Sequence, residues 1–418
     1  MISLIQSLVE YNPLYIKIFQ SLSGHNFHPR IRAEMLRQTS SAYCKPMEVD
    51  CACLNSVGDK YDIDFKETIM PASSGMIALV FFGTMPHPIT GKEINVVLKT
   101  KRRNIYNRVA IGHDEFITLY NAVCFIVRTF IPFELLIDAT NSLRSMCDTK
   151  QYILTQCDFR HESKAISVTR AEIALLVAKG HCTLYVPEVY ASGDDFILME
   201  QLDGSPLSDY DNVAELGDQH INDLAFYTWI SSYKMSYCHT DLHSGNIFHM
   251  KKNGKAMTGI IDFGMHIRIN NNSKSLMNGL VNVIVKKSAN KDAKVECAWD
   301  LRHTMTPVVT RAEYDMVSVE NKAILNELYA SALLTVFSGV FDEAIMHKVA
   351  DAYRKYVNPK IVISYEGVQL LMSLSMAQSA YLRFGFLTET ITGMQKKQLT
   401  KVMTIMDNED DEEEDGQQ

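Results

Sequence analysis

Three polar side chains between residues 239 and 264 have the types and spacing needed to handle a metal ion and phosphate. The first two lie in His239-Thr240-Asp241-Leu242-His243-Ser244-Gly245-Asn246 and the third in Asp262-Phe263-Gly264. Two strand-like runs, Ile247 to Met250 and Met257 to Ile261, separate these segments and flank Lys252-Asn253-Gly254. Asn-Gly is the strongest two-residue hairpin signal, so the chain is expected to turn back there. That return brings Asn246 and Asp262 to one end of a hairpin. An amide oxygen and a carboxylate are hard ligands suited to magnesium. Asp241 is placed to meet a substrate hydroxyl or to hold an attacking group. Read only as turn residues capping strand ends, these three positions would have to fall in register by accident.

An Asp-x4-Asn loop, a short hairpin and then D-F-G is the arrangement of a protein-kinase-like active site. Such a site uses ATP and magnesium, and it needs a lysine on a strand near the phosphates. Val96-Val97-Leu98-Lys99 supplies one at the end of an apolar run. The partner of Lys99 is expected on a downstream helix. Glu162, within Cys157-Asp158-Phe159-Arg160-His161-Glu162-Ser163, is the first choice, and Glu115 is the nearer alternative. Ahead of the first strand, Pro71-Ala72-Ser73-Ser74-Gly75 offers small residues that let a backbone approach phosphates. Neither G-x-G-x-x-G nor G-x4-G-K-[ST] occurs. His239 and His243 are four apart, but no H-E-x-x-H pattern or third ligand accompanies them. His239 is therefore expected to pack and hydrogen-bond behind the loop.

Elements must position these groups. Residues 1–45 carry apolar positions at helical spacing through Leu4, Leu8, Tyr15 and Phe19. Met76 to Phe82 and Ile94 to Lys99 read as a hairpin around a turn-rich Gly83 to Gly91. Residues 114–147 and 160–179 read as helical. Val186 to Tyr190 and Phe196 to Glu200 read as short strands around Ser192 to Asp195. Beyond about residue 215 the chain reads as mostly helical, and 275–400 shows helical periodicity without identifiable chemistry. The expected fold is α+β and two-lobed, protein-kinase-like, with an N-terminal helical extension. The expected divisions are 1–60 (extension), 61–202 (first lobe), 203–400 (helical second lobe) and 401–418 (acidic tail).

Composition narrows the function. The 418 residues have a formal net charge of −8. Eight acids fall between Asp407 and Asp415, so the remainder is neutral. A neutral body argues against binding nucleic acid by phosphate neutralisation. The tail reads as a solvated, disordered end. Apolar residues at 47 % suffice for a core. Leu328 to Phe341 is largely apolar but too short to span a bilayer, and it reads as a buried helix. Without a signal-like N-terminus or a span, the expected location is cytoplasmic or peripheral to a membrane. The nine scattered cysteines read as reduced thiols packed as small hydrophobes.

With these residues in place, the chain resembles the UbiB (AarF) atypical kinases from about residue 11 to beyond 270. The family's catalytic loop is similar to His239 through Asn246, and its D-F-G segment to Ile261 through Met265. Its nucleotide loop resembles Ser74-Gly75-Met76-Ile77-Ala78-Leu79-Val80, and its Val-Lys-x-x-Arg strand end resembles Leu98 through Arg102. Val186-Pro187-Glu188-Val189-Tyr190 and Met199-Glu200-Gln201-Leu202-Asp203-Gly204 match two further family segments. The second implies a strand and hinge in which Glu200 and Leu202 meet the nucleotide. Two accessory motifs are altered. The K-x-G-Q motif appears as Lys17-Ile18-Phe19-Gln20, and E-x-D as Gln156-Cys157-Asp158. In the family the extension folds over the active site and restrains protein phosphorylation. Phe19 and Gln156 are departures that bear on that restraint.

The resemblance implies Mg-ATP between two lobes. Lys99 and Glu162 would position phosphates, Asn246 and Asp262 would ligate the metal, and Asp241 would act on the acceptor. It also implies a lipid-like or protein effector linked to quinone metabolism. Two other readings compete. Leu242, where the family has proline, also suits a small-molecule phosphotransferase of the aminoglycoside and choline kinase kind. A non-catalytic nucleotide-binding scaffold would account for the altered accessory motifs.

Overall fold

Leu79, Phe81 and Met85 alternate with less buried neighbours along Ala78–Pro86. This period of two makes the segment a strand covered on one face. A computed structural model of the chain describes residues 2–22, 44–65, 70–130, 150–252, 254–289, 296–339, 343–383 and 396–406, with a few isolated positions between them. The described residues divide into two compact units, Met1–Ser167 with Pro187–Gln201, and Val168–Val186 with Leu202–Gln418. Numbered along the chain, the strands are β1 (Asp64–Phe65), β2 (Ser73–Ser74), β3 (Ala78–Pro86), β4 (Glu93–Lys101), β5 (Leu184–Tyr185), β6 (Val189–Ser192), β7 (Phe196–Glu200), β8 (Gly204–Pro206), β9 (Tyr237–His239), β10 (Ile247–Lys252), β11 (Lys255–Ile260), β12 (His266–Arg268), β13 (Met305–Thr306) and β14 (Val362–Ile363).

The first unit is built on an antiparallel sheet of order β1-β3-β4-β7-β6, with β2 also on β3. The β3–β4 turn is tighter than the expected Gly83 to Gly91. Gly83 through Pro86 stay in the ladder opposite Val96 through Glu93, and His87 N donates to Lys92 O at 2.8 Å. Inward-facing Met85 extends the alternation past the glycine, so the apolar face keeps the pairing going. The helix Cys51–Tyr61 covers this face. It is capped by Asp50, whose carboxylate accepts from Cys53 N at 3.1 Å. Leu54 and Val57 pack with Leu79, Phe81, Val96, Leu98 and Leu198, and Cys44 joins them. All nine cysteines are free thiols, six of them buried.

The N-terminal segment forms two helices, Ile2–Tyr11 and Leu14–Leu22, broken at Asn12-Pro13 because proline cannot continue the first ladder. The buried Asn12 accepts from Leu14 N at 3.0 Å and donates to Arg108 O at 2.7 Å on the helix Ile105–Phe130. A Cβ at Gly112 would stand 2.2 Å from Asn12 Nδ2, so this seating requires the glycine. The Ile105–Phe130 helix begins well before the expected residue 114. Much of the expected continuation to 147 lies outside the described residues, as do 23–29, 36–43 and the acidic run from 407.

In the second unit the sheet order is β5-β11-β10-β8, β9 pairs with β12, and β13 pairs with β14. The segment 186–190 is not one strand. Pro187 cannot donate to a ladder, so β5 ends at Tyr185 and β6 begins at Val189. The helix Gln219–Tyr233 is buried along nearly its whole length. Among the described residues, no helix is long and apolar enough to cross a membrane.

Candidate active site

Lys99 lies on β4 opposite Val80 and Ile197 and is 6 % exposed. An ammonium buried this deeply needs a partner. Its Nζ donates to Glu162 Oε1 at 2.7 Å and lies 5.6 Å from the Phe159 ring centroid. Glu162 occupies the first turn of the helix Phe159–Ala178, where the helix dipole favours a carboxylate. That turn is fastened to the β6–β7 turn at two points: Phe159 N donates to Asp194 O (3.1 Å) and Ser163 Oγ bonds Ser192 Oγ (2.9 Å). The same β6–β7 turn accepts from β4, where Lys101 N donates to Asp195 O at 3.0 Å. The turn between β6 and β7 therefore fixes both members of the pair. Glu115 instead accepts from the Tyr11 hydroxyl at 3.0 Å.

Ser73 and Ser74 are β2, paired with Val80 and Leu79. Gly75 N closes the turn onto Ala78 O at 2.9 Å. A Cβ on Gly75 would meet nothing nearer than Ala78 O at 3.9 Å, so the chain's own packing does not require glycine here. The Arg102 Nε donates to the Gly75 carbonyl at 2.9 Å. Glu200 Oε2 accepts from Glu188 N at 3.1 Å at the end of β7. Leu202 is buried; a Cβ at Gly259 would stand 2.8 Å from its Cδ1. The division between units falls between Gln201 and Leu202.

The second unit gathers Asp241, Asn246 and Asp262 on two neighbouring loops. Each loop runs between the same two ladders, with His239 opposite His266 at one end and Ile247 opposite Ile260 at the other. Thr240 N donates to Met265 O, and Ile261 N donates to Asn246 O, both at 3.0 Å. Asn246 Nδ2 donates to Asp241 O at 2.8 Å, which leaves its amide oxygen as the atom for a cation. Asp262 is exposed and holds φ of 60°, a left-handed conformation unusual outside glycine. His239 is fully buried. Its Nε2 donates to Ile261 O at 3.0 Å, and its Nδ1 accepts from Asp241 N at 3.1 Å. Burial holds this imidazole below its ordinary pKa, against the opposing pull of the Ile261 carbonyl and of Asp241 and Asp262. The neutral ring thus ties the Asp241 backbone to the residue preceding Asp262. His243 caps its own turn, accepting from Gly245 N at 3.1 Å.

The accessory positions are spread over two regions of the first unit. Lys17 and Gln20 lie on the helix Leu14–Leu22, with Lys17 partly buried. Gln156 Nε2 is buried without a hydrogen bond among the described residues. Asp158 takes Arg160 Nε at 2.9 Å and Nη2 at 2.7 Å, and this pairing holds its carboxyl below the usual range. Two networks near the site have no counterpart in the sequence reading: Glu48 with Arg102 and Arg108, and His220 with His249, Thr258 and Asp223.

An antiparallel sheet with a lysine–glutamate pair, and a helical unit with an Asp-x4-Asn loop and D-F-G joined by a hairpin, define a protein-kinase-like α+β fold. Residues 42–296 match the ABC1 atypical kinase-like domain, and the chain belongs to that family, the UbiB atypical kinases. It is 26 % identical over 290 residues to a probable protein kinase UbiB of Photobacterium profundum, covering 64 % of this chain and 48 % of that protein. It is 26 % identical over 195 residues to an uncharacterised chloroplastic aarF domain-containing protein kinase of Arabidopsis thaliana, covering 44 % and 35 %. The chain thus spans less than half the length of the curated relatives it matches. Among solved structures, the Rv3197–erythromycin complex of Mycobacterium tuberculosis aligns over 79 % of this chain and 80 % of that one, at 15 % identity and a TM-score of 0.44.

Proposed function

We propose that the chain binds Mg-ATP and transfers or hydrolyses its terminal phosphoryl group, as an atypical kinase or ATPase. The buried Lys99–Glu162 pair carries this reading. Burying an ion pair costs desolvation and often adds no stability, so holding a lysine this way is better explained by positioning phosphates. Gly75 fits the same group, because the space a Cβ would fill there is not taken by the protein. Ser73 and Ser74 lead into that turn on β2, and Glu200 and Leu202 are the hinge positions for the base. Asn246 and Asp262 supply the hard oxygens for magnesium. When bound, the metal adds positive charge against the phosphate oxygens. Asp241 orients the acceptor hydroxyl or takes its proton, on a loop held by His239 and Asn246. Lys17, Gln20, Gln156 and Asp158 take the accessory role of the N-terminal extension, with Phe19 and Gln156 altering its restraint. The family resemblance points to a lipid-like or quinone-pathway partner as acceptor or effector.

Calorimetric titration of the full chain with ATP tests the reading. Wild type is expected to bind ATP only with a divalent ion, and Asp262→Asn to lose that dependence. Equal binding by both proteins, with or without magnesium, would remove the metal-site assignment.

A further inference from the structure

Arg102 follows Lys99 by three residues at the end of the same strand and is 1 % exposed. Both its backbone and its side chain grip the turn after β2. Arg102 N donates to Ile77 O at 2.8 Å, and Arg102 Nε donates to Gly75 O at 2.9 Å. The other side of the guanidinium is braced, since Nη1 pairs with Glu48 Oε2. Glu48 is itself held on every side. Its Oε2 accepts from Lys45 N at 3.0 Å, its Oε1 pairs with Arg108, and its backbone carbonyl accepts from Arg103 N at 2.7 Å. A planar guanidinium can serve a carboxylate and a carbonyl at once in fixed directions, which an ammonium cannot. The carbonyl it takes belongs to Gly75, the one residue of the turn whose lack of a side chain the packing leaves unexplained.

We propose that Arg102, braced by Glu48, is a positioning residue that fixes the Gly75–Ala78 turn after β2 for the phosphates of a bound nucleotide. The inference rests on the Mg-ATP reading above. On this view, Lys99 and Arg102 divide the work at the strand end. Lys99 faces the phosphates as a charge, and Arg102 holds the backbone that lies against them.

The test compares full-length wild type with the double variant Arg102→Met/Glu48→Gln, which removes both charges together and strands neither. Arg102→Lys is the second variant; it keeps the charge facing Glu48 and loses the bond to Gly75. Two readouts are taken: amide hydrogen exchange at residues 73–78 without nucleotide, and affinities for Mg-ATP and for adenosine, which has no phosphate. The expected result for both variants is faster exchange at 73–78, Mg-ATP affinity lowered roughly tenfold, and adenosine affinity unchanged. Equal losses for ATP and adenosine would mean a merely structural role and overturn the proposal, as would unchanged exchange. Wild type that binds no Mg-ATP would overturn the Mg-ATP reading and this inference together. Wild type that binds normally beside an equally competent double variant overturns the positioning role alone.

Discussion

At Lys99, stability and nucleotide binding should respond differently to substitution. Lys99→Met leaves the Glu162 carboxylate buried, and breaking such a pair costs about 3–5 kcal/mol. Adding Glu162→Gln removes the stranded charge. The double variant should therefore recover most of the loss in urea denaturation, while Mg-ATP binding stays impaired in both. A double variant as unstable as Lys99→Met would contradict the pairing. Lys99 was legible because a charge ends an apolar run. Glu162 was legible only as one of two glutamates, since helical periodicity does not tell which helix lies against β4. That choice is made by the Ser192–Asp195 turn, through backbone and hydroxyl groups with no signature at the partner's position. Glu48 and Arg102 stood out for a related reason even less: two charged residues 54 positions apart look like surface until their burial is known.

Among the elements, the β10–β11 hairpin carries Asn246 before it and Asp262 after it, so whatever fixes the hairpin fixes both. Its Asn-Gly turn was readable; its attachment to the helix Gln219–Tyr233 was not. His249 and Thr258 face each other across the ladder. Thr258 Oγ1 donates to Asp223 Oδ2 at 2.8 Å, so it accepts from His220 Nδ1, also at 2.8 Å. His220 Nε2 then accepts from His249 Nδ1 at 2.7 Å. A protonated His220 cannot accept that bond. Burial first, and the neighbouring His249 second, push the His220 imidazole down to about 4. Its folded pKa lies below the unfolded value of about 6.5. Its contribution to stability is therefore complete above about pH 6.5 and is lost as pH falls toward 4, at about 1.4 kcal/mol per pH unit. Burial raises the Asp223 carboxyl, which offsets part of this loss at the acid end. Urea midpoints at pH 7 and pH 5 check the effect. Wild type should lose more stability than His220→Gln over that interval, and equal losses would count against the network.

Across the whole molecule, the sequence exposed the candidate site better than its support. The loop from His239 to Asn246, the D-F-G segment and the strand lysine are local patterns, and each is readable in a few residues. Residues 275–400 are periodic without naming what they pack against. In the structure, two residues of the helix Tyr365–Arg383 show part of their use. Ser373 Oγ donates to His239 O at 2.8 Å, at the start of the His239–Asn246 loop, and Tyr381 bonds Thr228 at 2.8 Å on the buried helix. Such tertiary partners cannot be read from spacing, because many helices would satisfy the same periodicity. The neutral charge of the body also takes on meaning. With no net positive charge to draw in a polyanion, the proposed phosphate recognition would rest on Lys99, the turn bonded by Arg102, and a metal held by Asn246 and Asp262. The proposed function requires these groups to serve one Mg-ATP molecule. Its most direct test is phosphate release from ATP by the full chain, in magnesium and in EDTA, with Asp262→Asn and Lys99→Met measured alongside. The expected result is release that requires magnesium and falls about a hundredfold or more in each variant. Magnesium-dependent release that both variants retain would contradict it.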